Sequence, residues 1–131
     1  MKNDFVITRA TALPLATVCS RLPEVATSHK FGVLATHNLR EKMESKGVPF
    51  NRECRVIEAC NPQQARDVLS QAIEISTALP CRISVYTEGK ETRIGMLRPA
   101  QMLAGLSADP SIAAIAREVE EKTVRMVDDA R

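Results

Sequence analysis

The stretch Arg55-Val-Ile-Glu-Ala-Cys60-Asn61-Pro62-Gln-Gln-Ala65 limits the possible folds more than any other part of the chain. A short apolar strand runs into a cysteine and then directly into a helix start. Asn61 is a preferred N-cap residue, because its side-chain oxygen accepts from a free N–H of the first turn. Pro62 suits the first helical position, where its missing N–H is not needed. Ala65, Val68, Leu69, Ala72 and Ile73 then recur at helical spacing, which predicts a helix running to about Ser76. The joint therefore requires a strand from Cys54 to Cys60 feeding a helix that packs back on a sheet.

The rest of the chain follows from this joint. Phe5-Val-Ile-Thr8 predicts a first strand over Asp4 to Ala10, and Thr11 is placed to cap the segment after it. Leu15, Val18, Cys19, Leu22 and Val25 predict a helix from Leu13 to Lys30, with a kink or break at Pro23. Phe31 to Thr36 reads as a second strand with apolar residues at both parities. Both faces are therefore expected to be covered, one by a subunit partner. A short charged helix follows over Leu39 to Lys46. Arg82 to Thr87 and Thr92 to Leu97 alternate at period two around Glu88-Gly89-Lys90, which predicts a β-hairpin. Pro99 to Leu106 reads as a short helix, and Asp109-Pro110 as a second capped start. The terminal helix would span about 25–30 Å, and its apolar stripe lapses at Lys122 and Thr123, so it is expected to reach beyond its own core.

This order combines a tight hairpin with alternating helices. It predicts an α+β two-layer sandwich: a mixed or mostly antiparallel sheet of about five strands with helices packed on one face. One domain over residues 1–131 is expected, large enough to bury a core without a disulfide or metal.

Composition excludes several function classes. There is no Trp, one Tyr and three Phe, too few for a base-stacking platform. The 18 basic and 16 acidic residues are interspersed, so no basic stripe is available for a phosphate backbone, and nucleic acid is excluded as a partner. No apolar run reaches membrane-spanning length and the N-terminus lacks a signal-peptide pattern, so a cytoplasmic location is expected, with no membrane partner. Cys19, Cys54, Cys60 and Cys81 are then reduced thiols.

Three phrases occur in order: Phe31-Gly-Val-Leu34, Arg55-Val-Ile-Glu-Ala-Cys60-Asn61-Pro62, and Leu79-Pro80-Cys81-Arg-Ile-Ser-Val-Tyr86. Together they resemble the signature phrases of the bacterial and archaeal family called domain of unknown function 302. The resemblance covers residues 4–103, most of the chain. It implies a compact α+β domain, dimeric, with no established catalytic activity. On that reading, residues from about 107 to 131 form a helical extension to the family-like core. Two departures stand out. The family often has Gly where Glu58 stands. It also has an acidic residue near the end of the second strand, where this chain reads Thr36-His37-Asn38, so a site using that acid would be absent or rebuilt on His37.

Cys60 is the first candidate for chemistry. A thiol ahead of a helix N-terminus can be stabilised as thiolate by free N–H groups and the helix dipole; the plainer reading is a small residue filling a strand–helix corner. If the helix after Cys60 crosses over the sheet, Cys81 lies at the opposite end, well beyond the roughly 7 Å Cα limit for a disulfide; an antiparallel arrangement would bring the two together. Cys54 and Cys60 lie about 20 Å apart on one strand and cannot chelate one ion, so no metal site or cofactor is expected. Arg55, Glu58 and Arg82 could orient an anionic ligand or serve as rim charges that discourage strand-to-strand association. His29 suits a helix C-terminus.

Three functional readings remain. The first is a homodimeric ligand-binding or non-catalytic module, with Cys60, Asn61, Cys81, Arg55 and Glu58 as binding candidates. The second is thiol-based sulfur transfer, redox relay or soft-metal handling through Cys60. The third is a hydrolase or transferase with Cys60 as nucleophile and His37 as base, which requires the two within hydrogen-bond reach.

Overall fold

The computed structural model describes residues 4–131. Among these, five strands form one antiparallel sheet: β1 (Val6–Thr11), β2 (Gly32–Asn38), β3 (Cys54–Cys60), β4 (Cys81–Glu88) and β5 (Glu91–Leu97), in the order β1-β5-β4-β3-β2. The helices are α1 (Leu15–Ser28), α2 (Leu39–Ser45), α3 (Pro62–Leu69), α4 (Pro99–Ala104) and α5 (Pro110–Ala130), with a 3-10 helix at Ile73–Ala78. β1 and β2 are the two edges, so α1 crosses the full width of the sheet between them.

The alternation of β3, β4 and β5 divides the sheet into two faces. Ile57, Ala59, Ile83, Val85, Ile94 and Met96 point to one face and are buried against Leu15, Val18, Leu22 and Ala26 of α1 and Met126, Val127 and Ala130 of α5. On the other face Val56, Glu58, Ser84 and Tyr86 are only half-buried. A smaller apolar cluster of Val68, Ile75, Leu103, Ile112 and Ala116 lies beside the main one.

Several expectations change here. α1 is one helix through Pro23. The single hydrogen bond that proline removes is outweighed by Val18, Leu22 and Ala26, which seat both halves on the same sheet. Thr11 ends β1, and its hydroxyl accepts from the Leu13 N–H; the N-cap of α1 is Pro14, without a side-chain cap. β2 is an edge strand: Val33 packs on the main core, and among the described residues no strand pairs with its outer edge. Its apolar residues fall at both parities because of a β-bulge: Val33 stands opposite Ala59 and Ala35 opposite Glu58, with Leu34 extra and 63% exposed. α3 stops at Leu69, so the apolar stripe does not continue; Ile73 is exposed and Ile75 takes the buried position. The terminal helix does not leave the core. Thr123 is fully buried, its hydroxyl donating to the Val119 and Glu120 carbonyls, and Met126, Val127 and Ala130 continue the buried stripe.

The strand bounds of β3 and the cap at Asn61 are as expected: the Asn61 side-chain oxygen accepts from the Gln64 N–H at 3.1 Å. Asp109 caps α5 by accepting from Ser111 N–H at 2.9 Å. β4 and β5 form the expected hairpin, closed by a two-residue turn with Gly89 at φ +60°.

Candidate functional site

β3 ends at Cys60 and β4 begins at Cys81, and these strands run antiparallel with Ala59 directly opposite Cys81. The chain therefore returns to the same end of the sheet after α3, and the two cysteines become neighbours. This corrects the expectation of opposite ends. Consecutive strands joined through a helix need not be parallel when the connection, as here, includes a second short helical turn that brings the chain back.

Both cysteines line a small pocket of about 40 Å³, partly open to solvent. Its walls come from the seam between the two apolar clusters. Phe31, Ala59 and Val119 belong to the main side; Val68, Leu79, Met102, Leu103 and Ile115 belong to the smaller side. Asn61 and Gln64 add polar atoms at the start of α3. Gln64 is three residues past the N-cap, where in a capping box its side chain would turn back to the cap's own N–H. It does not: Gln64 Oε1 is buried and has no hydrogen-bond partner within the protein.

Burial pushes the Cys60 thiol above its ordinary value. Cys81 is pushed up to about 11, first by burial and then by the proximity of Cys60. Both shifts favour the neutral thiol at physiological pH. All four cysteines are free. Cys19, on α1, is also raised by burial, against the opposing effect of the Arg55 guanidinium beside it.

The other candidates sit elsewhere. His37 pairs across the sheet with Val56, four residues before Cys60 on β3 and so about 13 Å along the strand. It faces Glu58, with Nε2 3.4 Å from the carboxylate, and Arg82 lies 3.6 Å from the same oxygen on the other side. His37, Glu58 and Arg82, from three adjacent strands, form one ionic cluster on the half-exposed face. Arg55 points to the opposite face. The pocket lining thus takes in Cys60, Asn61 and Cys81 and not Glu58, Arg55 or His37. His29 Nε2 contacts Asp129 Oδ2 at 2.8 Å, tying the end of α1 to α5. Among the described residues, no group of three His, Cys, Asp or Glu side chains is placed to hold a metal ion, and no helix is long and apolar enough to cross a membrane.

Sequence reasoning did not single out Gln64, Phe31 or Met102. The Asn61-x-x-Gln64 spacing was the available signal for Gln64, since it marks a side chain positioned by the cap. Met102 reaches the pocket only through the docking of α4 against α5, which no local pattern encodes.

Comparison with known proteins agrees with this architecture. A family model described as Domain of unknown function DUF302 matches residues 7–130. A crystal structure of an uncharacterized conserved DUF302 protein from Bacillus stearothermophilus is 33% identical, with a TM-score of 0.92, covering 98% of this chain and 100% of that one. Among curated proteins, none matches.

Proposed function

The chain belongs to the DUF302 family, and on that premise we propose that it is a small-molecule-binding module whose site is the pocket at the β3–β4 end. The observation that carries this reading is a partly open, mostly apolar pocket with the Asn61 and Gln64 amides at its wall, Gln64 Oε1 having no partner within the protein. A buried acceptor without a partner is destabilising by about 1–3 kcal/mol, and such groups call for a water, an ion or a ligand to satisfy them. Two neutral thiols beside it add weak polarity without charge. The site therefore suits an uncharged molecule with an apolar body and one hydrogen-bond donor.

The test is an NMR titration with 1-butanol as probe. Saturable shifts are expected at the amides of Cys60, Gln64 and Val68, and butyl methyl ether, which lacks the donor, should bind far more weakly. Gln64→Leu should keep the fold, gain stability and lose the preference for the alcohol. No saturable shift in wild type, or an unchanged preference in Gln64→Leu, rejects the reading.

The thiol reading is second. It is favoured by the antiparallel pairing that makes Cys60 and Cys81 neighbours, and weighed down by burial that keeps both protonated. Alkylation rates of the native protein against pH decide it: a Cys60 reactive at neutral pH supports thiol chemistry, and one inert below pH 9 removes it.

Homodimerisation remains part of the leading reading. Two of its sequence supports have gone, since the bulge explains the two-sided apolar pattern of β2 and α5 is buried on its own sheet. What supports it is the family resemblance and the half-exposed sheet face, flanked by exposed Leu34 and Leu97. Sedimentation at micromolar concentration should give a dimer; a stable monomer rejects that part alone.

A further inference from the structure

The antiparallel pairing of β3 and β4 brings two thiols to one cavity. Ala59 stands directly opposite Cys81, and Cys60 is the next residue on β3. With strands about 4.8 Å apart and about 3.4 Å per residue, the Cα atoms of Cys60 and Cys81 lie about 6 Å apart. Cys60 shares its parity with Glu58 and Cys81 with Ile83, so the two side chains leave opposite sides of the pleat, which disfavours a direct sulfur–sulfur bond. Both nonetheless line the pocket of about 40 Å³, a space for a few water-sized bodies. The other side-chain donors in that lining are the Met102 thioether and the Asn61 and Gln64 amides. Among the described residues the lining contains no Asp, Glu, His, Lys or Arg.

We infer that the pocket is a site for one soft monovalent cation of the Cu(I) class, held between the thiolates of Cys60 and Cys81. Softness selects the ion: thiolate and thioether sulfur favour Cu(I). Hard divalent ions need a shell of carboxylate and carbonyl oxygens, and the lining contains no carboxylate. Coordination number selects it too. Zinc takes four ligands, or three and a water, whereas a d10 monovalent ion is satisfied by two sulfurs in line. A two-sulfur site needs no third His, Cys, Asp or Glu, and none is placed there among the described residues. On binding, each thiol gives its proton to solvent, and the cation with two thiolates carries one net negative charge. That charge forms beside the first turn of α3, where the helix dipole favours an anion. In the empty pocket Cys60 opposes the ionisation of Cys81; a cation between them turns that repulsion into attraction. This goes beyond the neutral-ligand reading and engages other atoms of the same pocket, the sulfurs in place of Gln64 Oε1.

The experiment is an anaerobic titration of the reduced protein with Cu(I), in competition with a chromophoric Cu(I) chelator. The wild-type chain should withdraw one Cu(I) from the chelator and release both thiol protons as it does so. X-ray absorption at the copper edge should show sulfur neighbours only. Cys60→Ser and Cys81→Ser should each lose the withdrawal, while Cys19→Ser and Cys54→Ser, whose thiols lie outside the pocket, should match wild type. A chain that leaves all Cu(I) with the chelator overturns the site. So do nitrogen or oxygen neighbours at the copper, or Cu(I) held as tightly after Cys60→Ser and Cys81→Ser are combined. The wild-type absorption spectrum needs no variant, so it decides the matter even where a serine variant fails to fold. A chain that binds 1-butanol but no Cu(I) rejects this inference alone; one that takes Cu(I) but gives no saturable shift with 1-butanol rejects the small-molecule reading alone.

Discussion

Ile57 and Glu58 are adjacent in sequence and face opposite sides of the same sheet. Ile57 is 2% exposed, against α1 and α5; Glu58 sits half-buried between His37 and Arg82. One face is held by apolar area removed from water, the other by charges that keep most of their hydration. Area burial is worth about 25 cal/mol per Å², whereas a partly exposed ion pair contributes about 0–1 kcal/mol. Stability should therefore be concentrated on one face, leaving the other open to change without loss of fold.

The strongest challenge to that contrast is Ile57→Ala. Truncation of a fully buried isoleucine should lower unfolding free energy by about 2–5 kcal/mol in urea melts; a loss under 1 kcal/mol would mean that the covered face is not the main source of stability. Next is pH. Below about pH 9 Cys81 is protonated in both folded and unfolded chains and has no effect. Between about 9 and about 11 the unfolded chain releases the proton and the folded one keeps it, so stability falls as pH rises, by an amount of the order of 2 kcal/mol. Cys81→Ala, measured under reducing conditions, should be less steep than wild type across that window; parallel curves would show that the thiol is not held neutral by the fold. Asn61→Ala, at the joint between the faces, should cost about 1 kcal/mol through loss of the cap to Gln64 N–H. Glu58→Gln should change stability by less than about 1 kcal/mol, with the difference shrinking further in high salt. A large loss there would overturn the division of labour between the faces.

What was legible in the sequence was local. Cys54 to Cys60, the Asn61 cap, Pro62 and the Asp109-Pro110 start all depend on neighbours within four residues, and those neighbours are printed side by side. The α+β class and the hairpin followed from the same local signals. What was not legible depended on distant partners. Whether Cys60 and Cys81 meet is decided by the direction in which β3 and β4 pair, which the intervening segment permits either way. The end of α3 was misplaced because Ile73 and Ile75 both fit an apolar pattern, and only the position of α5 and α4 selects Ile75. Thr123 looked like a lapse in a stripe because its hydroxyl can be satisfied by the helix's own carbonyls, which a residue-type reading counts as polar. Cys60 itself was read correctly as a joint. Burial raises its thiol, which fits the plainer reading of a small residue filling the strand–helix corner.

The extra residue at Leu34 has a consequence for the life of the protein in a crowded solution. β2 is an outer strand, and a straight outer strand offers a ladder of N–H and C=O groups on which a neighbouring molecule can build. The bulge breaks that ladder after Val33, so an incoming strand can match at most a few residues before losing register. Deleting Leu34 would repair the ladder and turn the edge into a template. Such a variant should fold and then assemble into ordered, sheet-extended fibres on standing, while the natural chain at the same concentration stays clear.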